Sequence, residues 1–227
     1  MEEYMRQRYT NNFRKIAITH SKTWDRYKIV EFYSAYSNPG NMKRAEDDIA
    51  DVIEENNYLQ VTDGNRELLG VAATFRHLEG KYLELGGTRI ILNGFGLQKD
   101  MLAIRIVQQS LLDPSFEEIY STVVPGNTKS IEGLEKSGMV LWENVPIDLL
   151  EEKKRIAAAQ GRSSEVLFYK FPDITDAFLR PLAERLLDRD DSMIGHRTDP
   201  TTQIHLKFNV AILKGRFRKA VEQLART

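Results

Sequence analysis

The spacing of apolar and polar residues changes from a helical to a strand-like period along the chain. Apolar positions recur with helical spacing at residues 26–36 and 42–55, and Asn38-Pro39-Gly40 separates the two predicted helices. Three β-rich runs follow, at 58–62, 67–75 and 82–92. The turn Asp63-Gly64-Asn65 is typical of a tight hairpin. The pattern therefore predicts two helices and then a three-stranded meander, with a possible first strand around Ile16 and Ile18.

The second half alternates between helices and strands. Strands are predicted at 119–124, 139–142, 166–171 and 204–212. Helices are predicted at 97–112, 127–137, 148–159, 173–190 and 216–226. A polar linker is predicted at 188–200. The strand at 204–212 alternates apolar and polar residues, as a half-buried strand does. It must pair with the sheet of its own chain or with that of a second copy, because an unpaired apolar strand edge promotes aggregation.

The functional prediction depends most on residues 82–112, whose pattern is that of a strand, a glycine loop and a helix. Gly86 and Gly87 inside a β-rich run indicate a bulge or the close approach of another backbone. The loop Asn93-Gly94-Phe95-Gly96 leads into a helix whose start offers unpaired N–H groups and a positive dipole end, which suits a phosphate. The alternative is a tight turn with a core helix behind it, because a lone Gly-x-Gly is weakly specific.

Composition narrows the class of protein. The 227 residues suit one large domain or a medium domain with an appendage, and an apolar fraction of 41% fits a folded core. The net charge of -1 argues against a whole-chain interaction with nucleic acid or anionic lipid. No cysteine is present, and no signal peptide or membrane span is recognisable. We expect a cytoplasmic protein. His20, His196 and His205 lack ligand spacing, so no metal site is expected.

A second motif lies at Val124–Met139, where Asn127 opens a predicted helix and Gly138 closes it. This segment is similar to the N-x-x-S/A…L-x-K-x-G-F/M segment of the GNAT (N-acetyltransferase-like) acyltransferase superfamily. The hairpin at Asp63-Gly64-Asn65 and the following Leu69-Gly70-Val71 also look like that family. With the order of elements, the chain resembles the superfamily over roughly residues 15–172.

The resemblance implies an α/β fold of GNAT type. Its central sheet is mixed and largely antiparallel, with flanking helices, here followed by a C-terminal strand–helix extension. The expected division is 1–172 for the acyltransferase domain and 173–227 for the extension. The implied reaction is direct attack of an amine on an acyl-coenzyme A thioester, by default acetyl-coenzyme A. The acyl-coenzyme A is a substrate, and no metal is needed.

The resemblance also assigns site residues. The expected donor-binding residues are Ile91, Leu92, Asn93, Gly94, Phe95, Gly96, Leu97, Gln98, Lys99, Asn127 and Ser130. Glu84 is the candidate general base, with an outward-facing strand residue as the alternative. Leu134 stands where many members have a tyrosine acid, so Tyr120 is the substitute candidate unless it only packs. Asn127 could cap its helix, contact the donor, or do both.

Two departures from the family pattern leave other functions open. Asn93 stands where Gln or Arg is usual in the phosphate loop, and Gln98 where Gly or Ala is usual. A longer acyl chain delivered by an acyl carrier protein is the enzymatic alternative. A non-catalytic interaction module with the same fold is the other. A homodimer through the C-terminal strand is also possible, whereas the amine acceptor carries no readable motif.

Overall fold

A computed structural model describes residues 14–36, 46–55, 57–159, 165–199 and 201–226. The strands are β1 Arg14–His20, β2 Tyr58–Asp63, β3 Leu68–His77, β4 Tyr82–Ile90, β5 Glu118–Val123, β6 Val140–Leu141, β7 Leu167–Lys170, β8 Ser192–Gly195 and β9 Gln203–Asn209. The helices are α1 Arg26–Ala35, α2 Glu46–Glu54, α3 Leu97–Leu112, α4 Thr128–Lys136, α5 Ile147–Ala159, α6 Asp176–Arg189 and α7 Gly215–Arg226. Two short 3₁₀ turns, Thr23–Asp25 and Ala211–Leu213, complete these elements.

All nine of these strands join one mixed sheet in the order β6-β7-β5-β4-β3-β2-β1-β9-β8. The β4–β5 and β1–β9 pairs are parallel, and the other neighbouring pairs are antiparallel. The predicted α/β class and the mixed, mainly antiparallel sheet flanked by helices are therefore confirmed. The predicted meander of β2, β3 and β4 is present as well.

Apolar side chains alternate between the two faces of the sheet, as the strand period requires. On one face, Leu83 and Leu85 of β4 join a core that includes Ile104 of α3, Leu186 of α6 and Val221 of α7. On the other face, side chains of β2 and β3 pack against α1 and α2, while Tyr82 of β4 packs near Leu149 of α5. The sheet is thus a layer between two sets of helices.

The C-terminal extension belongs to the same sheet and core as the rest of the chain. Strand β9 pairs in parallel with β1 from Arg14↔Ile204 to Thr19↔Asn209, and β8 covers its other edge. The option that this strand joins the sheet of its own chain is the one observed. One edge of β9 is paired with β1 from Ile204 to Asn209, and Gln203–Leu206 of the other edge are paired with β8. The proposed division at residue 172 stays a prediction.

Three sequence predictions need correction or restriction. The polar linker predicted at 188–200 contains strand β8, because Ser192–Gly195 finds a pairing partner in β9 that local composition cannot reveal. The predicted sixth strand shortens to Val140–Leu141. The predicted start of the second helix, at 42–45, lies outside the described residues.

Candidate active site

The bulge predicted in β4 is present and lies beside the opening of the sheet. Between the pairs Val71↔Arg89 and Ala73↔Gly86, β4 contains one residue more than β3. Gly87 has φ +60°, which is in the left-handed region, and its carbonyl oxygen accepts a hydrogen bond from the Tyr33 hydroxyl of α1. The helix on this face therefore fixes the conformation of the bulge.

Arg105 of α3 holds the same bulge from the opposite face. Its Nη1 donates to the carbonyl oxygens of Ala73 at 2.8 Å and Gly86 at 3.4 Å, and its Nη2 donates to Thr88 Oγ1 at 3.1 Å. Burial lowers the pKa of this guanidinium to about 10. Only neutral oxygens accept its hydrogen bonds within the described ranges. Sequence reasoning missed Arg105, because its position on an apolar helix face gives no local signal.

Strands β4 and β5 pair only along the first residues of β4 and separate before the bulge. Their parallel pairing ends at Glu84↔Tyr120, and β5 continues by pairing with β7 on its other side. At the first unpaired position, Ser121 Oγ donates to the Leu85 carbonyl at 2.7 Å. Beyond that bond the two strands diverge, and the β4 edge that carries the bulge faces the resulting slot. An extended amide-containing ligand fits such an edge, because it can pair with free backbone groups.

The glycine loop lies at the end of β4 and begins helix α3. Gly94 has φ +86° and Gly96 has φ +73°, so both glycines are required by the backbone. Amide groups of Gly94 to Gln98 have no hydrogen-bond partner among the residues described. The first amides of a helix normally lack an internal acceptor, and together with the loop amides they form a concave group of donors. This group suits an anion.

The other predicted donor-binding residues surround that loop or follow the neighbouring strand. Ile91 and Leu92 are half-buried, whereas Asn93, Gln98 and Lys99 are exposed. Asn127 Oδ1 accepts from the Ser130 amide at 3.3 Å, so the cap on α4 is confirmed, and the Ser130 side chain is exposed. Because β4 and β5 are parallel, the loops after them emerge at the same edge of the sheet. Roles in donor binding stay predictions.

Glu84 is buried in a network of charged side chains. Its Oε2 accepts from Lys153 Nζ at 2.8 Å and lies 3.1 Å from His77 Nε2, while its Oε1 accepts from Thr122 Oγ1 at 2.5 Å. Glu152 Oε1 lies 3.2 Å from His77 Nδ1. Burial by itself would raise the pKa of the Glu84 carboxyl, but Lys153 and His77 hold it well below its ordinary value. A carboxylate in this state is a weak proton acceptor.

Tyr120 is fully buried among aromatic rings. Its ring packs against Phe168 at a centroid distance of 5.8 Å and against Trp142 at 5.8 Å. Burial, reinforced by the negative charges of Glu84 and Glu152, raises the pKa of the Tyr120 hydroxyl far above its ordinary value. This geometry favours the packing interpretation over a role as general acid. Leu134, at the usual tyrosine position, packs against the core around α3.

The arrangement can hold an anion at the loop and an extended arm at the slot, but it offers no poised acid–base pair. No group of three or more His, Asp or Glu side chains able to hold a metal occurs in the part of the chain that the structure describes. Nor do the described helices include one whose length and apolarity would let it cross a membrane. Because Glu84 is already paired and Tyr120 is packed among aromatic rings, chemistry at this place would depend on positioning and on backbone donors.

Comparisons with known proteins support the fold. Neither the protein-family models nor the curated proteins include a match. Solved structures do match. The Arabidopsis thaliana Naa50 structure with the bisubstrate analogue CoA-Ac-MVNAL is 13% identical, covers 70% of this chain and 99% of its own, and has a TM-score of 0.51. Rv2747 from Mycobacterium tuberculosis, in complex with CoA and NLQ, is 11% identical, with 69% and 99% covered and a TM-score of 0.50.

N-acetylglutamate synthase from Neisseria gonorrhoeae, complexed with coenzyme A and N-acetyl-glutamate, is 14% identical with a TM-score of 0.52. That match covers 72% of this chain and 36% of the synthase, so the chain spans about a third of the synthase's length. The chain has the GNAT fold. In the GNAT fold found here, the bulged β4, the slot beside β5 and the glycine loop before α3 all occur on consecutive elements.

Proposed function

We propose that this GNAT-fold chain transfers an acyl group from an acyl-coenzyme A thioester to an amine. The observation that carries the proposal is the row of amides from Gly94 to Gln98, at the start of α3, that have no partner among the described residues. A pyrophosphate needs several N–H donors that converge on one place, and a loop followed by a helix start supplies them. The adjacent slot between β4 and β5 would take the pantetheine arm.

The reaction is a direct acyl transfer. The amine nitrogen attacks the thioester carbonyl carbon, the C–S bond breaks, the coenzyme leaves as a thiolate, and the amine loses a proton. In this proposal, backbone N–H groups at the Gly86–Gly87 bulge polarise the thioester carbonyl; the contacts of Tyr33 and Arg105, which hold this stretch from both faces, support it. Catalysis by positioning fits a site whose Glu84 is already paired.

The proposal leaves the donor's acyl chain and its carrier open. Gln98 is exposed at the helix start, where the family usually has a small residue. An acyl carrier protein is therefore the second donor class to test. A non-catalytic module is the competing function, and the buried state of Glu84 and Tyr120 favours it. A homodimer stays a prediction, and β9, which pairs with β1 and β8 of its own chain, leaves little strand edge for a second copy.

The deciding experiment is thermal unfolding with coenzyme A, acetyl-coenzyme A or pantetheine. A ligand at a hundred times its Kd stabilises the folded state by about 2.7 kcal/mol, which raises Tm clearly. Both coenzymes should raise Tm, whereas pantetheine, which has no pyrophosphate, should not at the same concentration. Thiol release from acetyl-coenzyme A with a panel of amines then separates an enzyme from a binding module. Absence of any coenzyme effect would contradict the proposal, and acyl carrier protein would be the next donor.

A further inference from the structure

The C-terminal extension contacts the glycine loop through two arginines of α6. Arg189 Nη2 donates to the Phe95 carbonyl at 2.5 Å and to Asp100 Oδ2 at 2.8 Å. Arg185 Nη2 donates to the Gly96 carbonyl at 3.1 Å. Both guanidinium groups also place Nε close to Asp100 Oδ1, at 2.7 Å for Arg185 and 2.8 Å for Arg189. The extension lies outside the stretch that resembles the GNAT family.

Asp100 connects these arginines to helix α3. Its side chain is completely buried in the first turn of the helix. Burial raises the pKa of the Asp100 carboxyl, although both arginines lower it. A buried carboxylate is stable only when it is paired, so Asp100 requires the two guanidinium groups. The arginines in turn offset a negative charge that would otherwise oppose an anion at this helix start.

A second part of the extension, the segment after β8, covers Gly94. The Arg197 amide donates to the Gly94 carbonyl at 2.9 Å. The His196 ring lies so close that a Cβ added at Gly94 would be 1.8 Å from its Nε2. The same ring packs against the Phe95 ring in a T-shaped arrangement, with a centroid distance of 5.0 Å. Glycine is needed at position 94 for this contact as well as for its positive φ.

These contacts determine which way the loop amides point. The carbonyls of Gly94, Phe95 and Gly96 all accept from the extension. In a trans peptide group, C=O and N–H point in opposite directions. The amides of Phe95, Gly96 and Leu97, which share those peptide groups, therefore point away from the extension and remain available for a ligand.

We propose that the C-terminal extension is a clamp for the donor-binding loop, with Arg185, Arg189 and Arg197 as positioning residues. The inference rests on the proposed function, because it assigns the clamped amides to the phosphates of coenzyme A. Arg185 and Arg189 act through their guanidinium groups and Arg197 through its backbone amide, each on a carbonyl group of the loop. Removal of the clamp releases the carbonyls of Gly94 and Phe95, so the loop part of the donor group loses its shape.

The test uses the full chain and the variants Arg189→Gln and Arg185→Gln. Arg216→Gln is the matched control, since it removes the same charge from an exposed position in the extension. Amide hydrogen exchange is measured without ligand at Lys99, Asp100 and Arg197, whose amides donate to carbonyl groups of the loop, and this is called loop exchange below. The Kd for coenzyme A is measured by calorimetry. Loss of a charge-assisted hydrogen bond should speed exchange and raise Kd by about tenfold in the Arg189 variant. The control should change neither quantity.

Two further variants separate clamping from folding and from simple charge. The double variant Asp100→Asn with Arg189→Gln leaves no unpaired buried carboxylate, so it should fold and still show fast exchange in the loop. Arg189→Lys keeps the charge but loses the planar fork, and it should resemble Arg189→Gln. If Arg189→Lys behaves like the native chain while Arg189→Gln does not, charge alone is responsible and the clamp is refuted.

The remaining outcomes are also decisive. Unchanged loop exchange in both single variants would refute the clamp even if coenzyme A binds. Tighter coenzyme A binding in these variants would show that the extension obstructs the loop, which also refutes it. A native chain that does not bind coenzyme A, combined with faster loop exchange in the variants, would contradict the proposed function alone.

Discussion

Strand β4 and the glycine loop after it differ in how their polar groups are satisfied. In β4, Glu84 is paired with Lys153, His77 and Thr122, and this network is buried. In the loop and at the helix start, the amides of Gly94–Gln98 have no partner in the described part of the chain, while carbonyls of the loop are bound. Unpaired donors that converge at a loop and a helix start suit an anion, which is why we propose this loop as the place for the ligand.

This contrast changes how the residues of the site should be viewed. Glu84 resembles a general base in sequence, yet its contacts are those of a structural ion network. The glycine loop departs from the family pattern in sequence, yet its backbone has the unpaired donors that phosphate binding requires. Side-chain identity was therefore the weaker guide at this site, and backbone geometry the stronger one.

The largest effect on stability should come from removing a partner of Glu84 in the buried network. Lys153→Met leaves the Glu84 carboxylate buried without its nearest cation, and it should lower the free energy of unfolding by about 3 kcal/mol. Lys154→Met, one residue away and exposed, is the matched control and should leave stability nearly unchanged. Urea unfolding at pH 7 measures both. Equal stability of the two variants would show that the network is not structural.

A smaller effect on stability is expected from a substitution in the glycine loop after β4. Gly94→Ala and Gly138→Ala both place a side chain on a backbone with positive φ, which costs about 1–2 kcal/mol. A Cβ at Gly138 has no atom within 4 Å, whereas one at Gly94 displaces His196. Thermal unfolding should therefore show a greater loss of stability for Gly94→Ala, and only this variant should lose coenzyme A binding. Equal losses in both properties would argue against the contact between loop and extension.

The smallest effect is a pH dependence that tests the charge on Glu84. The pKa of Glu84 is lower in the folded chain than in the unfolded one, where it is about 4.3. Its contribution to stability is thus complete above the unfolded pKa and is lost as the pH falls through the folded pKa. The stability difference between native chain and Glu84→Gln should stay constant above about pH 5.5 and narrow in more acidic solution.

Urea unfolding at a series of pH values from 7 to 3 measures this difference. Glu143→Gln removes an exposed carboxylate and is the control, for which we expect no comparable narrowing. A difference that stays constant down to the most acidic condition would mean that Glu84 is not held as a carboxylate in the folded chain.

Several features could be predicted from the sequence because they depend on local physics. Gly86 and Gly87 indicated the bulge, since an extra residue with positive φ favours glycine. Asn127 indicated the cap on α4, and the period of apolar residues indicated most helices and strands. The family resemblance then led to the GNAT fold, because the order of such elements restricts the topology.

Tertiary structure alone decided the rest. The pairing of β9 with β1, the strand at Ser192–Gly195 and the network around Glu84 join segments that are far apart in the chain, and no local pattern encodes such contacts. Arg185 and Arg189 read in sequence as ordinary polar positions on an amphipathic helix. Only their approach to Phe95, Gly96 and Asp100 gives them a candidate role, since a charge acts on what lies within a few ångströms of it.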